Sequence, residues 1–195
     1  MTIHESIQEH LAVCMTLQTL EPAIGNIAER MVQSLQEDGK ICWMGNGGSA
    51  ADCQHLAAEF VGRFEQERSG LASIAFTTDS SILTAIGNDY GFESIFSRQV
   101  EALCRQADVV VGISTSGNSE NVCSGLERAR LAGCYTVAFT GRSGGRMAEI
   151  ADVALVIQSH STARIQEAHI LIGHLLCKEV EASMVRLRVG EGSYV

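Results

Sequence analysis

Ile3, Ile7, Leu11, Cys14 and Leu17 recur at helical spacing, and Ile24, Ile27, Ala28, Met31, Val32 and Leu35 form a second such stripe after Pro22. Pro22 suits a first helical turn, where its missing N–H costs nothing, and Gly39 stands where a C-terminal cap is expected. These two helices are compatible with flanking a sheet or with a bundle between subunits. Beyond them the pattern changes to five short apolar, β-branched runs at 40–44, 71–77, 108–114, 134–140 and 152–158. Helical segments separate the runs, at 49–64, 80–87 with 93–103, 118–131 and a short one near 145–150. Strands alternating with helices predict an α/β fold, a parallel sheet with right-handed crossovers and helices on both faces. A last helix is expected over 163–185, followed by a loose tail at 186–195. No repeat or linker divides the chain, so one domain is expected over 1–195, with 1–38 as its N-terminal helices.

Composition narrows the class. The chain is 46% hydrophobic with one proline, which excludes a disordered or loop-dominated protein. Its net charge of −9, with scattered Lys and Arg, disfavours nucleic acid and anionic membranes as partners. Seven cysteines, odd in number and without a CxxC pair, suit small buried hydrophobes in a reducing compartment. Neither a signal peptide nor a membrane-spanning apolar run is visible, and a cytoplasmic protein is expected.

Two loops carry candidate chemistry. The run 108–113 gives way to Ser114-Thr-Ser-Gly-Asn-Ser119 before a helical stripe of Val122, Leu126, Ala129 and Leu131. Such a strand-to-helix loop gathers unpaired N–H groups at the positive end of a helix dipole, which suits an anion. Ser114, Thr115, Ser116 and Ser119 offer four hydroxyls where a helix cap needs one, so a phosphate site is expected. Gly45-Asn-Gly-Gly-Ser-Ala50 follows the first strand and opens a helix in the same way. It matches a Gly-x-Gly-x-x-Ala dinucleotide pattern, but two helices precede the strand, and Asp79 falls late for a ribose-binding acid. Both loops belong to the same sheet edge and are able to face one ligand.

His55 and Glu59, four residues apart, share one helical face. Near the end of the chain, Gln166 and His174 lie eight apart on the last helix, close enough around its axis to converge. His169 also lies near Gln166 in angle, and periodicity does not choose between the two histidines. A lone helical His is more often structural than catalytic.

The motifs together, and in this order, resemble the phosphoheptose isomerases of the sugar-isomerase (SIS) family. They are Gly45-Asn-Gly-Gly-Ser-Ala50 with His55 and Glu59, Gly87-Asn-Asp-Tyr-Gly-Phe92, Ser114–Ser119, Phe139-Thr-Gly-Arg-Ser-Gly-Gly145, and Arg164-Ile-Gln-Glu with His174. The resemblance implies a three-layer αβα sandwich with a five-stranded parallel sheet, and a homotetramer with its sites between subunits. It implies one zinc per subunit held by His55, Glu59, Gln166 and His174. Glu59 and His174 carry the acid–base roles. Substrate contacts fall to Asn46, Gly47, Gly48, Glu59, Asn88, Asp89, Ser114, Thr115, Ser116, Ser119 and Gln166. The implied reaction converts sedoheptulose 7-phosphate into D-glycero-D-manno-heptose 7-phosphate through an enediolate, supplying heptose for lipopolysaccharide or another surface glycan. Ala163 stands where some members have an aspartate, so any role of that acid is absent.

A non-catalytic tetramer of the same fold, binding the bacterial replication initiator, is the competing expectation. That protein lacks a glutamate four residues after the histidine, and Glu59 favours the enzyme. A sugar-phosphate-sensing regulator would normally carry a second module.

Overall fold

The structure, a computed structural model, describes residues 2–190. Its elements are α1 (Ile3–Thr16), α2 (Glu21–Gln36), β1 (Ile41–Gly45), α3 (Gly48–Val61), β2 (Ser73–Ala75), α4 (Ser80–Tyr90), α5 (Ser97–Leu103), β3 (Val109–Ser114), α6 (Glu120–Leu131), β4 (Tyr135–Gly141), α7 (Gly145–Ile150), β5 (Val153–Ile157) and α8 (Thr162–Gly190). All strand pairs are parallel, in the order β2-β1-β3-β4-β5. The expected three-layer sandwich is therefore present.

Alternate residues along the central strands β1, β3 and β4 feed two cores, the signature of a sheet covered on both faces. Trp43, Val111, Ile113 and Phe139 pack with α2, α3 and α8 on one side. Met44, Val110 and Ala138 pack with α5, α6 and α7 on the other. The two N-terminal helices, whose place the periodicity left open, differ in burial. α2 buries Ile24, Ile27 and Met31 in the first core, whereas α1 leaves Ile3, Ile7, Leu11 and Met15 at least half exposed.

Several boundaries differ from the expected ones. β2 is cut to three residues at the sheet edge, where only β1 pairs with it. α8 continues to Gly190 instead of ending at 185, while the rest of the expected tail, 191–195, lies outside the described residues. α2 ends at Gln36, three residues before Gly39, and Asp38 takes the left-handed conformation (φ 58°) expected of a glycine cap. Gly39 is required for another reason. A Cβ there would lie 2.6 Å from both Ala107 O and Ser34 Oγ.

The order of the strands places the ligand site. From β1 the chain moves outward to β2, and from β3 it moves the other way through β4 and β5. The loops after β1 and β3 thus diverge at a topological switch point, the usual ligand crevice of open α/β sheets.

Candidate active site

At this switch point β1 and β3 run in register, Gly45 opposite Ile113, so the glycine loop and the Ser/Thr loop emerge side by side. Asn46 and Asn121 tie them together through a reciprocal amide pair, with N···O distances of 2.8 and 2.9 Å. Asn121, buried in the first turn of α6, was not singled out in the sequence. An asparagine at a helix start reads as local capping, and only the paired strands reveal its partner.

Ser119 occupies the N-cap position of α6, yet its side chain caps nothing. Its hydroxyl pairs instead with Ser114 Oγ at 2.8 Å, and Ser116 Oγ lies 3.4 Å from the same atom. The first N–H groups of α6 are thus left to an incoming acceptor, which supports an anion site over simple capping. Thr115, half-buried, completes the loop. Gly117 (φ 68°) brings its backbone against Gly144, so closely that a Cβ would collide with the Gly144 carbonyl. The Met147 amide donates to Gly117 O at 2.9 Å, so the start of α7 braces the hydroxyl loop. A cleft of about 410 Å³ lies between Asn46, Ser119, Glu120, Asn121, Phe92 and Glu93.

The glycine loop starts α3 at Gly47, which has φ 56° and no side chain to cap with. Gly48 follows, and the Gln166 amide fills the space a Cβ would occupy there. Asp79 is the N-cap of α4, accepting from Ile82 N at 2.9 Å, which leaves the dinucleotide pattern without its acid. Asn88 and Asp89, expected in a loop after 87, lie in the last turn of α4, exposed and bonded to each other at 2.8 Å. The helix finds no breaker before Gly91, whose φ of 90° ends it.

Helices α3 and α8 cross at Gly173, where a Cβ would lie 2.5 Å from Leu56 Cδ2. That close crossing sets His55 Nε2 2.9 Å from His174 Nε2, and Glu59 Oε1 lies 3.4 Å from the same His55 nitrogen. The tertiary structure thus chooses between the histidines of α8. His174 joins His55, while His169 is fully buried, bonded through Nε2 to Thr140 O at 3.0 Å. Burial pushes the His169 imidazole down to about 4, so it is neutral.

One chain does not gather every residue the resemblance implies. Measured along α3 at 1.5 Å per residue, His55 and Glu59 lie about 10 and 16 Å beyond Gly48. Gln166 stays at the glycine loop, and no hydrogen bond among the described residues joins it to the histidine pair. The three ligand atoms of His55, Glu59 and His174 do not all lie within 4.8 Å of one another, so a turn of the Glu59 side chain is needed for full convergence. Their chemistry nevertheless fits zinc. Two Nε2 atoms face each other, close to the ~3.3 Å edge of a tetrahedral zinc site, with a carboxylate one helical turn away.

A different trio, Cys42, Cys104 and Asp108, does converge within 4.8 Å. It fits a cation poorly. Lys40 Nζ already neutralises Asp108 at 2.6 Å. The Cys104 thiol, despite a hydrogen bond with Cys134, is pushed up by its bond to Cys42 and by burial. Asp52, one turn before His55 on α3, was also overlooked. Its Oδ2 is buried without a hydrogen-bond partner, and burial pushes its carboxyl up against the pull of His55.

Comparison with known proteins adds an independent line. Residues 6–141 match the SIS domain model. A phosphoheptose isomerase of Trichlorobacter lovleyi is 50% identical over 191 residues, 97% of each chain. Among solved structures, the phosphoheptose isomerase of Neisseria gonorrhoeae superimposes with a TM-score of 0.88 at 46% identity, covering 92% of this chain and 97% of that one. The Francisella tularensis enzyme gives 0.89 at 37% identity, covering 93% and 100%.

Proposed function

Since the chain belongs to the SIS-domain family and, within it, to the phosphoheptose isomerases, we propose that it converts sedoheptulose 7-phosphate into D-glycero-D-manno-heptose 7-phosphate. It is an isomerase of sugar phosphates. The product supplies heptose for lipopolysaccharide or another surface glycan.

The observation that carries this reading is the His55–Glu59–His174 group on crossed helices, in a chain whose hydroxyl loop is built for a phosphate. Ser114, Thr115, Ser116, Ser119 and the open N–H groups of α6 hold the phosphate. Asn46, Gly47, Gly48 and Gln166 line the way along the sugar, with Asn88 and Asp89 at the end of α4. Glu59 takes a proton from C1 of the ketose as the C2 carbonyl oxygen gains one, giving the enediol. His174 moves the proton between the two oxygens. Return of a proton to C2 and loss of the O1 proton leave the aldose, with no net change in atoms or charge. His55, Glu59 and His174, with Gln166, would hold zinc, which when bound supplies Lewis-acid polarisation of the sugar carbonyl.

A second copy completes the site in this proposal. The phosphate loop and Glu59 are separated along α3 within one chain, and His55, Val61, Leu171 and Leu175 are exposed around the histidine pair. The uncovered stripe of α1 adds apolar surface of the kind that assembly buries. We therefore infer a homotetramer with sites shared between subunits. No described helix is long and apolar enough to cross a membrane. The free cysteines, all but Cys14 buried, support a cytoplasmic location.

The test is to incubate purified protein with sedoheptulose 7-phosphate, with and without a chelator, while measuring bound metal and mass by light scattering. Conversion to the aldose by a zinc-bearing tetramer is expected. A metal-replete tetramer without isomerase activity would favour the initiator-binding scaffold instead.

A further inference from the structure

The segment after α3, residues 62–70, has no regular secondary structure, yet its backbone is closely held. Two buried charges hold it. The Glu181 side chain is 1% exposed and that of Arg68 4%. Glu181 accepts from the amides of Phe64, Glu65 and Gln66 at 2.9, 2.7 and 2.9 Å, and from Arg68 Nε at 3.1 Å. Arg68 in turn donates to the carbonyls of Glu59, Phe60, Gly62 and Ser69, at 2.8 to 3.1 Å. Burial of such a pair is costly unless every group is satisfied, and here Glu181 makes its bonds to the segment while Arg68 ties the segment to the last turn of α3.

The segment touches the reacting groups at two points. Arg68 Nη2 holds the carbonyl of Glu59 itself, in the last turn of α3. Phe64, whose amide Glu181 holds, stacks on the imidazole of His174 with ring centroids 5.5 Å apart and planes at 28°. Glu181 stands seven residues after His174, about two turns along the same helix. A stacked ring restricts rotation of an imidazole about its terminal torsion, which is otherwise broad. The direction of His174 Nε2 towards His55 thus depends on where Phe64 is held.

We propose that Glu181 and Arg68 are positioning residues of the isomerase, clamping Phe64 against His174 and fixing the turn of α3 that carries Glu59. This rests on the assignment of Glu59 and His174 to the proton transfers. The clamp touches neither the Ser/Thr loop nor the glycine loop, so it acts on turnover and leaves phosphate binding unchanged.

Steady-state kinetics on the tetramer would compare Glu181→Gln, Phe64→Leu, Phe64→Tyr and His174→Gln, each checked for folding by circular dichroism and for metal content. Glu181→Gln and Phe64→Leu should lower kcat by about 10- to 100-fold with KM within about twofold, the range for displaced supporting groups. Phe64→Tyr retains the ring and should keep kcat. If Glu181→Gln does not fold, the Phe64 pair decides alone, because those variants leave the ion pair intact. A Phe64→Leu enzyme with wild-type kcat, or one whose loss lies in KM, would overturn the clamp while His174→Gln remained inactive. An active His174→Gln enzyme would overturn the underlying assignment, and the clamp with it.

Discussion

The two ends of the parallel sheet treat polar groups in opposite ways. At the N-terminal ends of the strands, Asp108 accepts from Lys40 N, Lys40 Nζ and Arg105 N at 2.9, 2.6 and 2.7 Å. Asp152 accepts from the amide and hydroxyl of Thr136 at 2.8 and 2.7 Å and returns a bond through its own amide. These carboxylates pin the strand starts to one another, and Ser34 Oγ, beside Gly39, is the buried group at this end without a partner among the described residues. Around the C-terminal ends, the N-caps of α3 and α6 make no side-chain capping bond to the first turn of their helices. Asp52 keeps a buried oxygen without a partner. Buried polar groups are costly when unsatisfied, so the uncapped helix starts and the lone Asp52 oxygen support placing the proposed site at this end. The same kinds of residue build the fold at one end and, in the proposed reading, a site at the other.

This contrast is most sharply tested at Glu59. Glu59→Gln should cut kcat by about 10²–10⁴-fold, or about 3–5 kcal/mol, with an unchanged Tm. Exchange of the substrate C1 hydrogen with heavy water should fall with it, and metal content measured on the same sample separates a lost base from a lost ligand. Near-normal turnover in a metal-replete variant would remove this carboxylate from the chemistry. At the closed end the effect should reverse. Asp108→Asn leaves Lys40 without its charge partner and should cost about 3–5 kcal/mol of stability, while kcat per folded site stays unchanged. A loss of kcat without loss of Tm would show that the closed end takes part in function.

His169 lies between these extremes, a buried titratable group that serves packing. Its folded pKa of about 4 lies below the ordinary 6.5, so the unfolded chain binds the extra proton first as pH falls. The neutral ring's stabilisation is therefore complete above pH 6.5 and is lost progressively as pH falls to about 4, a change of about 3 kcal/mol. His169→Gln keeps a donor for Thr140 O and should remove that limb from urea-unfolding curves taken across the range. A limb of undiminished size in the variant would assign it elsewhere. The smallest effect is expected at Ser119. Ser119→Ala removes one hydroxyl donor to the phosphate, about 1.5–3 kcal/mol, and should raise KM by about tenfold or more with a smaller change in kcat. An unchanged KM would show that the loop is closed on itself through Ser114 and needs no anion.

Much of this was legible in the one-dimensional pattern. The 108–114 run announced a buried strand ending in a hydroxyl-rich loop, because strand burial and loop composition are written in adjacent residues. Asn88 and Asp89, expected in a loop after 87, belong to α4, because the helix runs on until Gly91 ends it. The clamp was invisible. Glu181 resembles any solvated carboxylate on a long helix, and Arg68 any cation in a charged stretch, until the fold buries them against each other.

By itself, then, the sequence determined what depends on near neighbours: which segments are helix or strand, which faces are apolar, and which loops offer hydroxyls and open amides. These follow from backbone geometry and side-chain periodicity over a few residues. The tertiary structure alone decided which distant groups meet. It joined His55 to His174 across 119 positions, Asn46 to Asn121 across 75 and Phe64 to Glu181 across 117. His169 and His174 occupy one helix with similar claims, and only the crossing at Gly173 turned one towards His55 while the sheet buried the other. The reason is physical: burial and partnership are properties of packed surfaces, and no local pattern states what a helix face will pack against.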